Sequence, residues 1–286
     1  MIIFLPLILS YHIYLFYLIL DYSTNNVYAK RMKFDTLPLF KSHYSLGRSI
    51  LDLSLPDEER GGPNSIFDLV KEAELKEFFL VDDSMSGFLQ AYVNSKELKV
   101  QLNFGLRLAI CEDMEDKSPR SIEKECKYII LVRNVKGYKK LIKIYTKAAK
   151  EGFYYHPRID FPSLQKYWND EDLILAVPFY DSFLFRNALE GALCMPDFDF
   201  TEPKFFLEDN NLPFDSLIER RVKEFAENKF EIIKVNSIFY KNKEDFKAYL
   251  TFRCINGRST LDKPQLEHMC SDRFSFETWK EKNEKV

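Results

Sequence analysis

The sequence is poor in the residues that usually build metal sites and disulfide frameworks. It has only 4 histidines, at positions 12, 43, 156 and 268, which are too few and too dispersed for a typical zinc enzyme. Its 5 cysteines form no Cys-x-x-Cys pair, and an odd, scattered number argues against a disulfide framework. The cysteine pattern therefore predicts reduced thiols in a cytoplasmic protein.

The sequence also lacks a strong excess of positive charge. Its 41 Lys and Arg residues are balanced by 44 Asp and Glu residues, for a net charge of -3. Domains that bind nucleic acid usually have a basic surface, so strong direct binding to DNA is not expected. No Walker A loop, GxGxxG, HExxH or GxSxG motif is present. The apolar content of 46% is that of an ordinary globular protein.

The first 31 residues differ from the rest of the chain. Residues 2–20 are an almost continuous apolar run, long enough to span a membrane, and a basic flank follows at residues 30–33. No cation precedes the run and no clean small-residue cleavage site follows it, so it makes a poor signal peptide. Two interpretations remain open: a misassigned start, with translation beginning at Met32 or an unstructured extension, and a membrane anchor. We predict a body at residues 32–276 and a charged tail at residues 277–286.

Within the body, short apolar runs alternate with helical patterns. Strands are predicted at residues 78–81, 100–109, 128–132, 173–177 and 231–235, and helices at residues 65–77, 87–98, 137–149 and 217–227. Such alternation predicts an α/β fold with a mainly parallel sheet. In these folds the chemistry lies at the C-terminal ends of the strands.

Several segments, in order between about residues 37 and 276, resemble one known family. They are residues 42–46, 81–83, 133–141, 151–160, 205–208, 241–245 and 260–262. The most specific is EGFYYHPRID, whose family-motif residues are Tyr154, Tyr155, Pro157, Arg158 and Asp160. Together they resemble the PHP (polymerase and histidinol phosphatase) domain at the N-terminus of bacterial DNA polymerase III alpha subunits. The resemblance implies a distorted (β/α)7 barrel, and implies that the polymerase domains are absent.

The resemblance also implies that the metal site has been dismantled. Active family members hold a metal cluster with nine ligands, mostly His, Asp, Glu and Cys. The corresponding positions here are Leu39, Lys41, Arg48, Asp83, Arg107, Lys127, Phe179, Ser237 and Phe239. Only Asp83 retains a ligand type, and four positions carry Lys or Arg, which repel a divalent cation.

We therefore expect no metal cofactor, and expect the cations to fill the former metal region with Asp82, Asp83 and Glu208 as counter-ions. Two alternatives remain open. The charges may be unrelated solvated groups at a rim, since surface ion pairs are common. A rescued metal site could also use His43, Asp82 and Asp83.

The predicted function is that of a non-catalytic PHP-like domain with a structural or protein-binding role in DNA replication. Its expected partner is a polymerase body or a proofreading exonuclease, and the chain would be half of a split subunit or a remnant of one. A different class of function is a phosphoesterase or 3′-5′ exonuclease that uses a divalent metal such as Zn or Mn. A third is a membrane-anchored accessory protein, which depends on residues 2–20 being translated.

Overall fold

A computed structural model describes residues 37–42, 49–54, 65–256, 258–262 and 271–283. The apolar run at residues 2–20, His43 and Arg48 lie outside these ranges. Among the helices of the described ranges, none is both long enough and apolar enough to cross a membrane.

Seven of the eight described strands close into a barrel. The strands are β1 (Leu37–Phe40), β2 (Glu77–Asp82), β3 (Gln101–Cys111), β4 (Glu125–Val132), β5 (Arg158–Asp160), β6 (Leu173–Val177), β7 (Lys204–Leu207) and β8 (Glu231–Ile238). The ring runs β1-β2-β3-β4-β6-β7-β8 and closes because β8 pairs with β1. Strand β4 is antiparallel to both neighbours, and β5 pairs with β3 outside the ring. The predicted α/β barrel is confirmed.

Eight α-helices of the described ranges surround the barrel. They are α1 (Ile66–Glu72), α2 (Phe88–Glu97), α3 (Val135–Lys150), α4 (Phe161–Gln165), α5 (Phe183–Leu189), α6 (Asp215–Ala226), α7 (Phe246–Asn256) and α8 (Phe276–Asn283). Helix α1 begins where predicted, because Ser65 and Asp68 form a capping box. Most of the stretch predicted as a charged tail belongs to α8, which buries Trp279.

The core has two layers, one inside the barrel and one between the barrel and the helices. The inner layer consists of Leu37, Leu39, Phe79, Val81, Ile129, Leu131, Ala176, Phe206 and Val235. On β3, Gly105 faces this layer: a Cβ there would lie 2.8 Å from Leu131 and 2.9 Å from Val81. Glycine is required because the neighbouring side chains already fill the space. The outer layer is larger and is rich in phenylalanine.

Candidate functional site at the barrel mouth

Charged side chains replace the apolar inner layer at one end of the barrel. Because side chains alternate along a strand, the residue two positions from an inner-layer residue faces the same way. By this rule, Lys41, Asp83 and Arg107 face the same way as the inner-layer positions Leu39, Val81 and Gly105. On the reversed strand β4, Lys127 faces the same way as Ile129. Glu208 and Ser237 likewise face the same way as Phe206 and Val235. This end is the C-terminal end of the six parallel strands of the ring.

We call the ionisable groups at this end the mouth cluster, and they interact with one another. The cluster consists of Lys41, Asp82, Asp83, Arg107, Lys127, Asp181 and Glu208. Three cations face four carboxylates, so the formal charge is 3 - 4 = -1. The cluster is thus close to neutral without any bound ion.

Arg107 is the centre of the mouth cluster. Its Nε lies 2.6 Å from Asp83 Oδ1 and its Nη2 lies 3.1 Å from Asp83 Oδ2, a bidentate pair. Its Nη1 donates to Asp181 Oδ2 at 2.9 Å. The side chains of Arg107 and Asp83 are only 15% and 16% exposed. Charge-assisted bidentate bonds are among the strongest hydrogen bonds in proteins. The guanidinium of Arg107, on β3, therefore links the loop after β2, which carries Asp83, to the loop after β6, which carries Asp181.

Lys41 and Glu208 are two of the buried members of the mouth cluster. Burial lowers the pKa of Lys41, and Arg107 lowers it further, while Glu208, Asp82 and Asp181 oppose the shift. Burial raises the pKa of Glu208. That carboxylate accepts bonds from Asn210 Nδ2 at 2.9 Å and Ser237 Oγ at 2.9 Å.

The backbone N–H of Ser237 also donates to Glu208, at 3.1 Å. A buried carboxylate with three donors is a satisfied structural group, because both of its oxygens accept hydrogen bonds.

Lys127 and Asp181 complete the mouth cluster. Burial and the charge of Arg107 lower the pKa of Lys127 to about 8, while Asp181 opposes the shift. The backbone N–H of Lys127 donates to the carbonyl of Asp181 at 2.8 Å. Asp181 has a φ of 63°, in the left-handed region. Sequence reasoning missed Asp181, although a carboxylate four residues beyond the end of β6 was a usable signal.

Three of the nine predicted positions lie away from the charged groups. Leu39 is in the inner apolar layer, one step below Lys41. Phe179 is fully buried in the outer core, and Phe239 packs on Tyr249 with ring centroids 4.8 Å apart. Asp83, Arg107, Lys127, Lys41 and Ser237 do come together at the mouth, together with the predicted counter-ions Asp82 and Glu208.

The described residues of the mouth do not fit a divalent metal. Both oxygens of Asp83 already accept bonds from Arg107, and Glu208 is engaged by Asn210 and Ser237. Within the described ranges, no group of three or more His, Cys, Asp and Glu side chains is arranged to hold a metal ion. The cationic side chains among the carboxylates repel a further cation.

The EGFYYHPRID segment lies elsewhere and forms what we call the motif corner, residues 151–160. Arg158 is completely buried; it donates to the carbonyl of Gly152 at 3.2 Å, to Ser121 Oγ at 2.8 Å and to the carbonyl of Asp116. Its guanidinium stacks on Tyr154, 4.9 Å from the ring centroid. One side chain of the motif thus ties the connection between β3 and β4 to the loop that follows α3.

Other residues of the motif corner also hold the backbone. Asp160 caps α4 by accepting from the N–H of Ser163 at 2.9 Å. A Cβ on Gly152 would lie 1.8 Å from the carbonyl oxygen of Arg158, so only glycine fits there. Tyr155, in contrast, is 75% exposed and has a φ of 60°.

The fold and the mouth define an α/β barrel of seven strands that carries an internal ion-pair cluster at the C-terminal ends of its parallel strands. The family model described as "PHP domain" matches residues 52–238, more than half of the chain. The chain belongs to the PHP domain family.

Curated relatives agree with this assignment. The chain is 30% identical over 140 residues to DNA polymerase III subunit alpha of Aquifex aeolicus (strain VF5), covering 46% of this chain and 12% of the relative. It is 28% identical over 158 residues to that subunit of Thermus aquaticus, covering 52% and 13%. It is 26% identical over 238 residues to that of Borreliella burgdorferi (strain ATCC 35210 / DSM 4680 / CIP 102532 / B31), covering 76% and 20%. The chain thus spans a fifth or less of these relatives.

Proposed function

We propose that this chain is a non-catalytic PHP domain, in which the mouth cluster replaces a metal centre and the barrel serves as a protein-binding module in DNA replication. The observation that carries the proposal is the bidentate Arg107–Asp83 pair, because it places a guanidinium on the one predicted ligand position that kept a carboxylate. Lys41 and Lys127 supply two more cations where a metal-dependent enzyme needs ligands.

The proposed partner is a polymerase body or a proofreading exonuclease. Support comes from the relatives, which are named as DNA polymerase III subunit alpha and extend far beyond the region matched here. A net charge of -3 favours a protein partner over DNA, because strong DNA binding needs a basic surface. The proposed compartment is the cytoplasm, where replication proteins of bacteria work.

Metal content and nuclease activity test the first half of the proposal. The purified chain is incubated with Zn²⁺ or Mn²⁺, desalted, analysed for bound metal and assayed on single-stranded DNA. We expect substoichiometric metal and no cleavage. Two or more bound metals with metal-dependent cleavage would overturn the proposal in favour of a phosphoesterase or 3′-5′ exonuclease.

A matched variant tests whether the mouth is the place where a metal centre would lie. Lys41→His, Arg107→Glu and Lys127→His, combined, return three positions of the mouth to ligand types. If the mouth cluster replaces a metal centre, this variant gains bound Zn²⁺ or Mn²⁺ while the parent chain does not. A thermal melt checks that the variant is folded, and a rise in its melting temperature on adding metal reports binding directly.

The protein-binding half is tested by immobilising the chain and capturing proteins from a lysate of its own source organism. We expect a replicative polymerase body or its proofreading exonuclease, identified by mass spectrometry and confirmed with the purified partner. Failure of both purified partners to bind at micromolar concentration would contradict the proposed role. Fluorescence anisotropy with labelled single-stranded DNA is the control, and there we expect no binding at physiological salt.

A further inference from the structure

Two thiols lie against each other on the outer side of the barrel, near the mouth end of β4. Cys126 is the second residue of β4, and Cys194 lies on the segment that follows α5. The two thiols are close enough that each shifts the pKa of the other. Cys194 Sγ also lies 2.9 Å from the carbonyl oxygen of Glu125, the residue before Cys126. We propose that Cys126 and Cys194 are an oxidative modification site that forms an intramolecular disulfide when the chain meets a hydroperoxide.

The backbone around Cys194 is held so that its thiol faces β4. Asn187 Nδ2 donates to the carbonyl of Cys194 at 2.9 Å, and Asn187 Oδ1 accepts from the N–H of Cys194 at 2.9 Å. The N–H of Leu193 donates to the carbonyl of Glu123 at 2.9 Å. Because the backbone is bonded on both sides of Cys194, its thiol is oriented toward β4 while the segment is closed.

The two thiols are chemically unequal. The neighbouring Cys126 thiol and the positive charge of Arg186 lower the pKa of Cys194, while burial opposes the shift. The guanidinium is held nearby because it donates to the carbonyls of Ile122, at 3.1 Å, and Glu125. Burial raises the pKa of Cys126 well above its ordinary value. Cys194 is therefore the attacking thiolate and Cys126 the resolving thiol.

The reaction takes place in two steps. The Cys194 thiolate attacks one peroxide oxygen, so that an S–O bond forms, the O–O bond breaks and the departing oxygen takes a proton from solvent. The Cys126 sulfur then attacks the sulfenic sulfur of Cys194, forming the S–S bond and breaking the S–O bond. The released hydroxide leaves as water with the proton of Cys126. The two thiols are oxidised by two electrons, and hydrogen peroxide is reduced to two waters.

A small oxidant reaches the pair through local opening of the segment that carries Cys194. The flanking Leu193 and Met195 are 66% and 77% exposed, so within residues 191–195 only Ala192 and the cysteine are buried. Cys111 offers an internal comparison, because burial raises its pKa to about 12. It should be oxidised far more slowly than Cys194.

The test treats the fully reduced, folded chain with hydrogen peroxide, blocks remaining thiols with iodoacetamide and maps the peptides by mass spectrometry. We expect a peptide pair linked through Cys126 and Cys194 as the main product. Cys194→Ser should abolish the linkage. Cys126→Ser should leave a sulfenic acid on Cys194 that dimedone traps, and Cys111→Ser should leave the linkage unchanged.

Two results would overturn the proposal: a linked pair that forms only in urea, or linkage through other cysteines in its place. If either serine variant fails to fold, the rate of iodoacetamide labelling in the unaltered chain decides. Cys194 should then react at least ~10-fold faster than Cys111, because the thiolate is the reactive form. Equal rates would contradict the assignment of Cys194 as the attacking thiol.

Discussion

The motif corner and the barrel mouth are both built from segments that resemble the PHP family, yet they differ in what the resemblance preserves. At the motif corner, Arg158, Gly152 and Asp160 serve the backbone: they bridge loops, permit a close approach and cap a helix. At the mouth, Arg107 and Lys127 stand where the family resemblance implies metal ligands. A recognisable motif therefore identifies the fold, whereas the residues at the strand ends determine whether a metal site can form.

The same distinction applies to a second resembling segment, residues 133–141. Asn134 caps α3 by accepting from the N–H of Gly137 at 2.9 Å and donates to Asp172 at 3.0 Å. A Cβ on Gly137 would lie 2.0 Å from the carbonyl oxygen of Asp172. Here too, the shared residues are those that the packing requires.

Breaking the motif corner should have the largest effect on stability. Arg158→Met leaves the buried Glu125 without its neighbouring guanidinium, whose Nη1 lies 3.5 Å from Oε2, and leaves three oxygen acceptors without their donor. We expect a loss of about 3–5 kcal/mol, as when one partner of a buried ion pair is removed. Urea unfolding followed by circular dichroism measures it.

Arg120→Met is the matched control, because Arg120 is exposed, and its effect should stay within about 0.5 kcal/mol. If the two variants unfold at similar urea concentrations, the motif corner does not stabilise the fold as argued.

Breaking the mouth cluster should have a smaller but clear effect. Arg107→Met removes the bonds to Asp83 and Asp181, and we expect a loss of about 1–3 kcal/mol, since water still reaches part of both carboxylates. A double-mutant cycle with Asp83→Asn isolates the pair. A coupling energy near zero would mean that these charges are solvated rim groups, the alternative that the sequence left open.

The pH dependence of stability distinguishes the mouth from the rest of the surface. The pKa of Lys127 is lowered to about 8 in the folded chain, below the value of 10.5 for an unfolded lysine. Between those pH values the unfolded chain binds more protons than the folded one, so stability rises with pH across that window. The lowered pKa of Lys41 acts in the same direction.

Urea midpoints at pH 7, 8, 9 and 10 test this dependence. Lys127→Met should reduce the rise, whereas Lys166→Met, at an exposed lysine, should leave the slope unchanged. An identical slope in the unaltered chain and Lys127→Met would show that Lys127 is not desolvated at the mouth.

Much of the fold could be predicted from the sequence because its signals are local. The apolar run at residues 173–177 matches β6 at both ends, and Ser65 caps α1 as expected. Strand β7 (Lys204–Leu207) is short and follows a turn-rich stretch, so periodicity alone did not predict it as a strand.

The site was predictable only in part, because it depends on which way side chains point. The family resemblance predicts Arg107 and Lys127 as residues of the site, but it does not identify Asp181, which reaches the mouth through a loop with a left-handed backbone. The family resemblance implies a ligand position at Phe179, but the turn after β6 directs this side chain into the outer core. Long-range packing decides such positions, and a linear alignment does not contain it.

The smallest effect is expected at Tyr155, which lies in the motif corner but points away from the core. Tyr155→Gly should change stability by less than about 1 kcal/mol, because relief of the left-handed backbone offsets glycine's added chain entropy and the lost ring contact with Tyr154. The measurement is a urea melt paired with binding of the captured partner. Unchanged stability with weakened binding would assign Tyr155 to the interaction surface, and would divide the motif corner into a buried half that folds and an exposed half that binds. A loss of stability as large as that of Arg158→Met would show that Tyr155 stabilises the fold, and the motif corner would then not have a separate binding half.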